Sequence, residues 1–241
     1  HRLRGEPVPD VERAGAAERA REPRRRRDLA ETGGEQMDVA ETAMREGILY
    51  DLLGRFHKQD MREATVDEFM RRYHIDTQQA ARIKRVSHKL LAASGGKDEN
   101  DVRFLDWAAR LHEIGLSVSH GGYHRHSGYI LENADMPGFS RTEQARLALL
   151  ARAQRGALLK LPDFAVGAVS DNDRMLVWLL RQAVILCRSR AEPRLPEVRA
   201  ENGNKRIRLT LPEGWLLRRP LTQRALEEEA VHWQAVGVKY T

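Results

Sequence analysis

The sequence is short of cysteine, short of aromatics and free of long apolar runs. Cys187 is the single cysteine in 241 residues. It has no internal disulfide partner, and points to a reducing, cytoplasmic setting. No run nears the roughly 18 apolar residues that a membrane helix needs. No signal-peptide pattern opens the chain, so no membrane partner is expected. The Walker A loop, G-x-G-x-x-G, G-x-S-x-G and C-x-x-C are all missing from the sequence, which removes the usual phosphate-loop, dinucleotide, serine-hydrolase and dithiol signatures. What is present is charge at 32% and hydrophobic residues at 41%. Over this length that suffices to bury one large domain or two modest ones, and it argues against a wholly disordered chain.

The net charge of +6 is unevenly placed. Residues 1–27 hold nine arginines against five acids, four of the six net charges. The first 36 residues contain no aromatic and only Leu3, Val8, Val11 and Leu29 as large aliphatics. Such a stretch has little to bury, so residues 1–36 are expected to be a disordered or misread leader. A basic arm for nucleic acid is the competing expectation, and nucleic acid is the less expected partner because runs of charge are usually solvated.

From Met37 the pattern is helical. Met44, Ile48, Leu49, Leu52 and Leu53 recur at helical spacing. Thr65–Glu68 has the form of a capping box opening a helix that carries Phe69, and Ser140–Glu143 has the same form. Asp76 is placed as an N-cap before the stripe Ala80, Ile83, Val86, Leu90. Phe104, Leu105, Ala108, Leu111 and Ile114 make another amphipathic helix, with Gly115 expected as its stop. Arg174–Cys187 is nearly all apolar and too long for a typical strand, so it reads as a buried central helix. Trp107 and Trp178 are expected in the core, as is Cys187, inert, while Trp215 and Trp233 are expected to pack the C-terminal module. Past Arg188 the period changes. Ile207, Leu209 and Leu211 alternate with Arg206, Arg208 and Thr210 as a half-buried strand. Asn202–Gly203 marks a hairpin turn and Val236–Tyr240 a closing strand. The expected organisation is mainly α: a leader over 1–36, a helical bundle over 37–190 and a small α+β module over 191–241.

Chemistry concentrates in one segment. Four of the nine histidines, His112, His120, His124 and His126, fall within fifteen residues. His112 and Glu113 adjoin just before Gly115, an arrangement that resembles the centre of the HD phosphohydrolase superfamily, where a His-Asp pair binds a divalent metal. His88, His112, Glu113 and His126 are the candidate ligands of a vestigial HD-type site. Glu in place of Asp moves the carboxylate by about one C–C bond, outside ordinary metal tolerance. The buried helix offers Arg181 and Gln182 rather than a trailing Asp. A donor-rich basic loop for anions is the other reading of His120, His124, Arg125 and His126.

Several segments together resemble a known family. Met44-Arg45-Glu46-Gly47-Ile48-Leu49-Tyr50 is similar to the A-L-R-E-G-x-L-Y segment of the exopolyphosphatase / guanosine pentaphosphate phosphohydrolase family. So are Tyr73–Asp76 with Gln79-Ala80, Trp107–Gly115, His120–Ser127 and Asn133–Phe139. The resemblance spans about 37–241 and is to the C-terminal half alone: an HD-domain-like bundle followed by a small α+β domain. It implies a non-catalytic half that helps form a homodimer and lines a channel for polyphosphate. The parent reaction would be Mg²⁺-dependent release of terminal orthophosphate from polyphosphate. The actin-like catalytic half has no counterpart here, so no catalytic residue is transferred, and neither a cofactor nor activity is expected for this chain alone. Polyphosphate-binding candidates by motif position and charge are Arg45, Arg55, Lys58, His120, His124, Arg125 and His126. The family often carries a His-Arg pair where Gln154-Arg155 stand here. The alternatives left open are a guanosine pentaphosphate phosphohydrolase fragment, an independent HD-type metal phosphohydrolase and a polyanion-binding module.

Overall fold

A computed structural model describes residues 61–193, 195–203, 205–212 and 214–241. The expected leader, the apolar stripe over Met44–Leu53 and the candidates Arg45, Arg55 and Lys58 lie outside the described residues. Helix α1 runs over 61–72. It is followed by α2 Thr77–Ala93, α3 Glu99–Leu111, a 3₁₀ turn Ile114–Ser117, α4 Tyr123–Asn133, α5 Arg141–Ala153, a 3₁₀ turn Leu158–Lys160, the short α6 Pro162–Ala165 and α7 Asp171–Leu186. Then come β1 Arg199–Gly203, β2 Arg206–Thr210, a 3₁₀ turn Leu216–Arg218, α8 Pro220–Gln234 and β3 Lys239–Tyr240. The described residues are mainly α with one small sheet, and no described helix is long and apolar enough to cross a membrane.

The helix starts follow local capping chemistry. Asp76 accepts from the Gln79 amide at 2.9 Å and opens α2. Asp98 and Ser170 do the same for α3 and α7. Ser140 and Glu143 form a reciprocal capping box at α5. Thr65 behaves otherwise. It sits inside α1, and its hydroxyl donates across the fold to the Pro137 carbonyl at 2.8 Å, so the expected capping box there does not open a helix. Residues 61–64 are already helical, so Thr65 is not at a helix start.

Helix α7 is the centre of the bundle, packed against α2, α3, α5 and α8. Leu176, Val177, Trp178, Leu179, Leu180 and Ala183 are all fully buried. The sheet continues the same apolar core. Ile207 turns inward while its neighbours Arg206 and Arg208 face solvent. Strands β1 and β2 pair antiparallel with Ala200 opposite Leu209, and β3 joins β2 in parallel with Tyr240 opposite Ile207. The hairpin turn lies beyond Asn202–Gly203: both residues belong to β1, Gly203 pairs with Arg206, and it is Lys205 that takes a positive φ of 54°. Tyr240 anchors the sheet to α7 by an edge-on ring contact with Trp178 and a 2.9 Å hydrogen bond from its hydroxyl to Gln182 Oε1.

Candidate functional site

The His-Glu pair lies at a helix end. Helix α3 stops at Leu111, earlier than the apolar spacing suggests, and His112 and Glu113 link it to the 3₁₀ turn. Gly115 is inside that turn and is needed for space rather than for a left-handed stop. A Cβ there would lie 2.1 Å from the Tyr123 carbonyl oxygen and 2.5 Å from the Ser127 nitrogen, both backbone atoms of α4. This close approach lets Ser127 Oγ accept from the Gly115 amide at 3.0 Å and donate to the His112 carbonyl at 2.8 Å.

His112 is fully buried. Its Nδ1 lies 2.8 Å from the Ala109 carbonyl, which can only accept, so Nδ1 carries the proton. Burial holds the imidazole below its ordinary pKa, with the Glu113 carboxylate partly opposing. The neutral ring therefore keeps its lone pair on Nε2, 3.9 Å from Glu113 Oε1. Glu113 is taken by Arg190, whose Nη2 donates to Oε1 at 2.6 Å while Nη1 reaches Asp76 Oδ2 at 2.8 Å. Arg190 adopts φ 55°, a left-handed conformation uncommon for a residue with a side chain, and this fork of two carboxylates holds it there.

These groups open onto a cleft of about 530 Å³ between α7, α8 and the turn after α5. Arg181, on α7, forms its floor. It is 2% exposed and donates to both Glu229 oxygens at 2.5 and 2.6 Å, to the Ala153 carbonyl at 2.6 Å and to the Gly156 carbonyl at 3.0 Å. Trp233 Nε1 adds a 2.6 Å bond to Glu229. Gln154 is buried on another wall and donates 2.5 Å to the His112 carbonyl. The position where the family often has His thus supports the backbone of the His-Glu pair. Arg155 and Arg188 line the cleft without a carboxylate partner among the described residues, and His120 and His232 stand beside them. Arg155 lies over the Tyr123 ring at 5.7 Å. The cleft's acids are already engaged: Glu113 by Arg190, Glu229 by Arg181 and Glu228 by Arg224. The uncompensated charge of the cleft is positive.

The sequence candidates are split by the fold. His112, Glu113 and His120 line the cleft together. His124, on α4, stands with Nε2 3.1 Å from the point a Gly156 Cβ would occupy. Burial, then the charges of Arg125, Arg155, Arg181 and His126, depresses its pKa to about 4, so it is neutral at pH 7. Arg125 is exposed and His126 half-buried on the same helix. His88 faces elsewhere, 3.9 Å from Asp106, which Lys84 also holds at 2.7 Å. Among the described residues no three His, Cys, Asp or Glu side chains converge as metal ligands. The donor set does not fit a metal: Glu113 is neutralised by a guanidinium, and His88 is drawn to a different carboxylate. Arg155, Arg181, Arg188, Arg190 and His232 complete the cleft and were not candidates from sequence. Two carried a signal: Arg181, as a charge inside an apolar helix, and Arg155, at the place of the family's His-Arg pair.

Comparison with known proteins matches residues 61–230 to the family model "Ppx/GppA phosphatase, domain III". A guanosine-5'-triphosphate,3'-diphosphate pyrophosphatase of Pseudoalteromonas translucida (strain TAC 125) is 37% identical over 209 residues, covering 85% of this chain and 42% of that protein. The chain thus spans about two-fifths of that relative's length. On a match that runs from α1 into α8 and includes the His112–Glu113 turn, the chain belongs to the Ppx/GppA phosphatase family.

Proposed function

We propose that this chain is the C-terminal, non-catalytic half of an exopolyphosphatase, and that its cleft forms part of the surface along which polyphosphate lies. The observation that carries this is the pair of uncompensated guanidinium groups, Arg155 and Arg188, with the donor side chains His120 and His232 beside them, lining a cleft whose acids are all paired. A polyphosphate brings about one negative charge per phosphate, and repeated positive charge is the matching chemistry. The parent reaction is hydrolysis of a terminal phosphoanhydride by water. Mg²⁺ would supply charge neutralisation at the transferred phosphate. On this reading the metal and the attacking water belong to the catalytic half. A homodimer is part of this reading, as is a cytoplasmic setting.

The test is polyphosphate binding by the full chain at two salt concentrations, with orthophosphate release measured in Mg²⁺. Binding that weakens with salt and no orthophosphate release are expected. Replacing Arg155 and Arg188 together by Ala should weaken binding about tenfold, the equivalent of about 1.4 kcal/mol. Binding that ignores both salt and the double substitution would sink the reading. The second reading, a guanosine pentaphosphate phosphohydrolase fragment, is favoured by what the Pseudoalteromonas relative acts on. Competition between polyphosphate and guanosine pentaphosphate for the cleft separates the two.

A further inference from the structure

A second cavity, of about 720 Å³, lies between the end of α7 and the start of α8. It runs on into the cationic cleft, since Ile185, Arg188 and Ala225 line both. Helix α8 gives the joined groove Leu221, Ala225, Glu228 and His232, which share one helical face. At 1.5 Å per residue the groove follows α8 for about 16 Å. Its first end is walled by Leu186, Pro193, Pro220 and Leu221. Leu221 is 82% exposed, and Leu217, in the 3₁₀ turn just before α8, is 81% exposed. The Trp215 ring is buried under Arg219 and offers the groove no open aromatic face. Arg188 and Arg218 stand exposed in the same lining, and neither has a carboxylate partner among the described residues. The acids nearby are taken: Glu192 by Arg85 at 2.6 Å and Glu228 by Arg224 at 3.2 Å.

Single exposed leucines are ordinary on a protein surface. Two of them beside a concave apolar space, with unpaired guanidinium groups in the same lining, form a contact surface of mixed character. Possible occupants differ in how they meet it. A bilayer is flat and would touch the leucines without filling the cavity. A bare phosphate polymer would lay charge against Leu186, Pro193 and Pro220 and lose hydration without return. The joined groove is larger than the roughly 300–1,000 Å³ of a small-molecule site. A short stretch of polypeptide satisfies both parts. Bulky apolar side chains fill the first end, and neighbouring carboxylates meet Arg188 and Arg218, which can each bind a carboxylate through two parallel hydrogen bonds. About five extended residues, at roughly 3.3 Å each, span the length.

We propose that the groove along the start of α8 docks a partner protein through a short segment in which bulky apolar residues adjoin acidic ones. The apolar side chains lie against Leu186, Pro220 and Leu221, and the carboxylates on Arg188 and Arg218. The test is selection of a phage-displayed random peptide library on the full chain, with the enriched peptides then measured by fluorescence anisotropy. Enriched sequences are expected to pair leucine, isoleucine or phenylalanine with aspartate or glutamate. Leu217→Ser/Leu221→Ser alters two side chains that already stand in solvent, so the fold is unaffected. It should weaken these peptides about tenfold, as loss of apolar anchors does, and leave long-chain polyphosphate binding as it was. Arg188→Glu/Arg218→Glu should reverse the charge preference, so that versions with lysine in place of the acids bind better. No enrichment, enriched peptides without acids, or binding indifferent to the leucine pair overturns the proposal. So does a dimer that Leu217→Ser/Leu221→Ser dissociates in sedimentation, which would place a second copy on the groove. Binding to phosphatidylglycerol vesicles that the same substitutions abolish would assign the leucines to a bilayer and overturn it as well. Polyphosphate binding, measured in parallel, does not use Leu217 or Leu221, so failure of the docking and failure of the polyphosphate reading give different results.

Discussion

Replacing Arg181 by Met tests how the bundle is joined to its last helix. Arg181 is buried on α7 and makes four hydrogen bonds, two of them to Glu229 on α8. Met keeps most of the aliphatic volume but leaves Glu229, 3% exposed, with only the Trp233 indole as donor. It also strips donors from the Ala153 and Gly156 carbonyls. Removing one member of a buried, hydrogen-bonded ion pair costs about 3–5 kcal/mol, because the partner's charge stays buried without compensation. With a urea dependence of about 2 kcal/mol per molar, the midpoint of unfolding should fall by about 1.5–2.5 M. Trp233 fluorescence reports the same region. The double variant Arg181→Met/Glu229→Leu removes the orphaned charge, so it should be more stable than Arg181→Met alone, and the two substitutions should be non-additive by at least about 2 kcal/mol. A loss below about 1 kcal/mol in the single variant, or strict additivity in the double, would refute the reasoning.

Three further outcomes are expected. Gly115→Ala places a methyl 2.1 Å from a backbone carbonyl of α4, which cannot yield as a side chain would, so a loss of about 2 kcal/mol or more in thermal or urea unfolding is expected. The Asp76 carboxyl is held below its usual pKa, first by the Gln79 amide and then by Arg190. A depressed folded-state value contributes stability above the unfolded pKa of about 3.9 and loses it as pH falls through the folded value. Asp76→Ala should therefore flatten the stability profile below about pH 4 and remove about 1 kcal/mol of capping at neutral pH, read from urea midpoints across pH. Burial pushes the Cys187 thiol up to about 12, so a thiol reagent at pH 8 should label it only as the chain opens; labelling at the rate of a free thiol would contradict its place in the core.

The caps at Asp76 and Ser140 and the inward alternation at Ile207 were readable from residue order, because each depends on neighbours two to four positions away. Gly115 shows the limit. Its place before a polar loop suggests a helix stop, yet what requires glycine is the α4 backbone pressed against it. Thr65 shows the same limit, since its acceptor is 72 residues distant. The helical bundle, the buried α7 and the terminal sheet follow from apolar spacing, and the His112–Glu113 pair follows from adjacency. Its environment does not. Arg190 reaches Glu113 across 77 residues and Asp76 across 114, and Arg181 meets Glu229 across 48. Composition and local pattern decided that the chain would be helical, capped and centred on one apolar helix, since those are short-range matters of hydrogen bonding and periodicity. Only the tertiary structure decided that guanidinium groups stand around the His-Glu pair and leave Arg155 and Arg188 unmatched in the cleft. Which charges are compensated depends on which distant side chains the packed core brings within a few ångströms of one another.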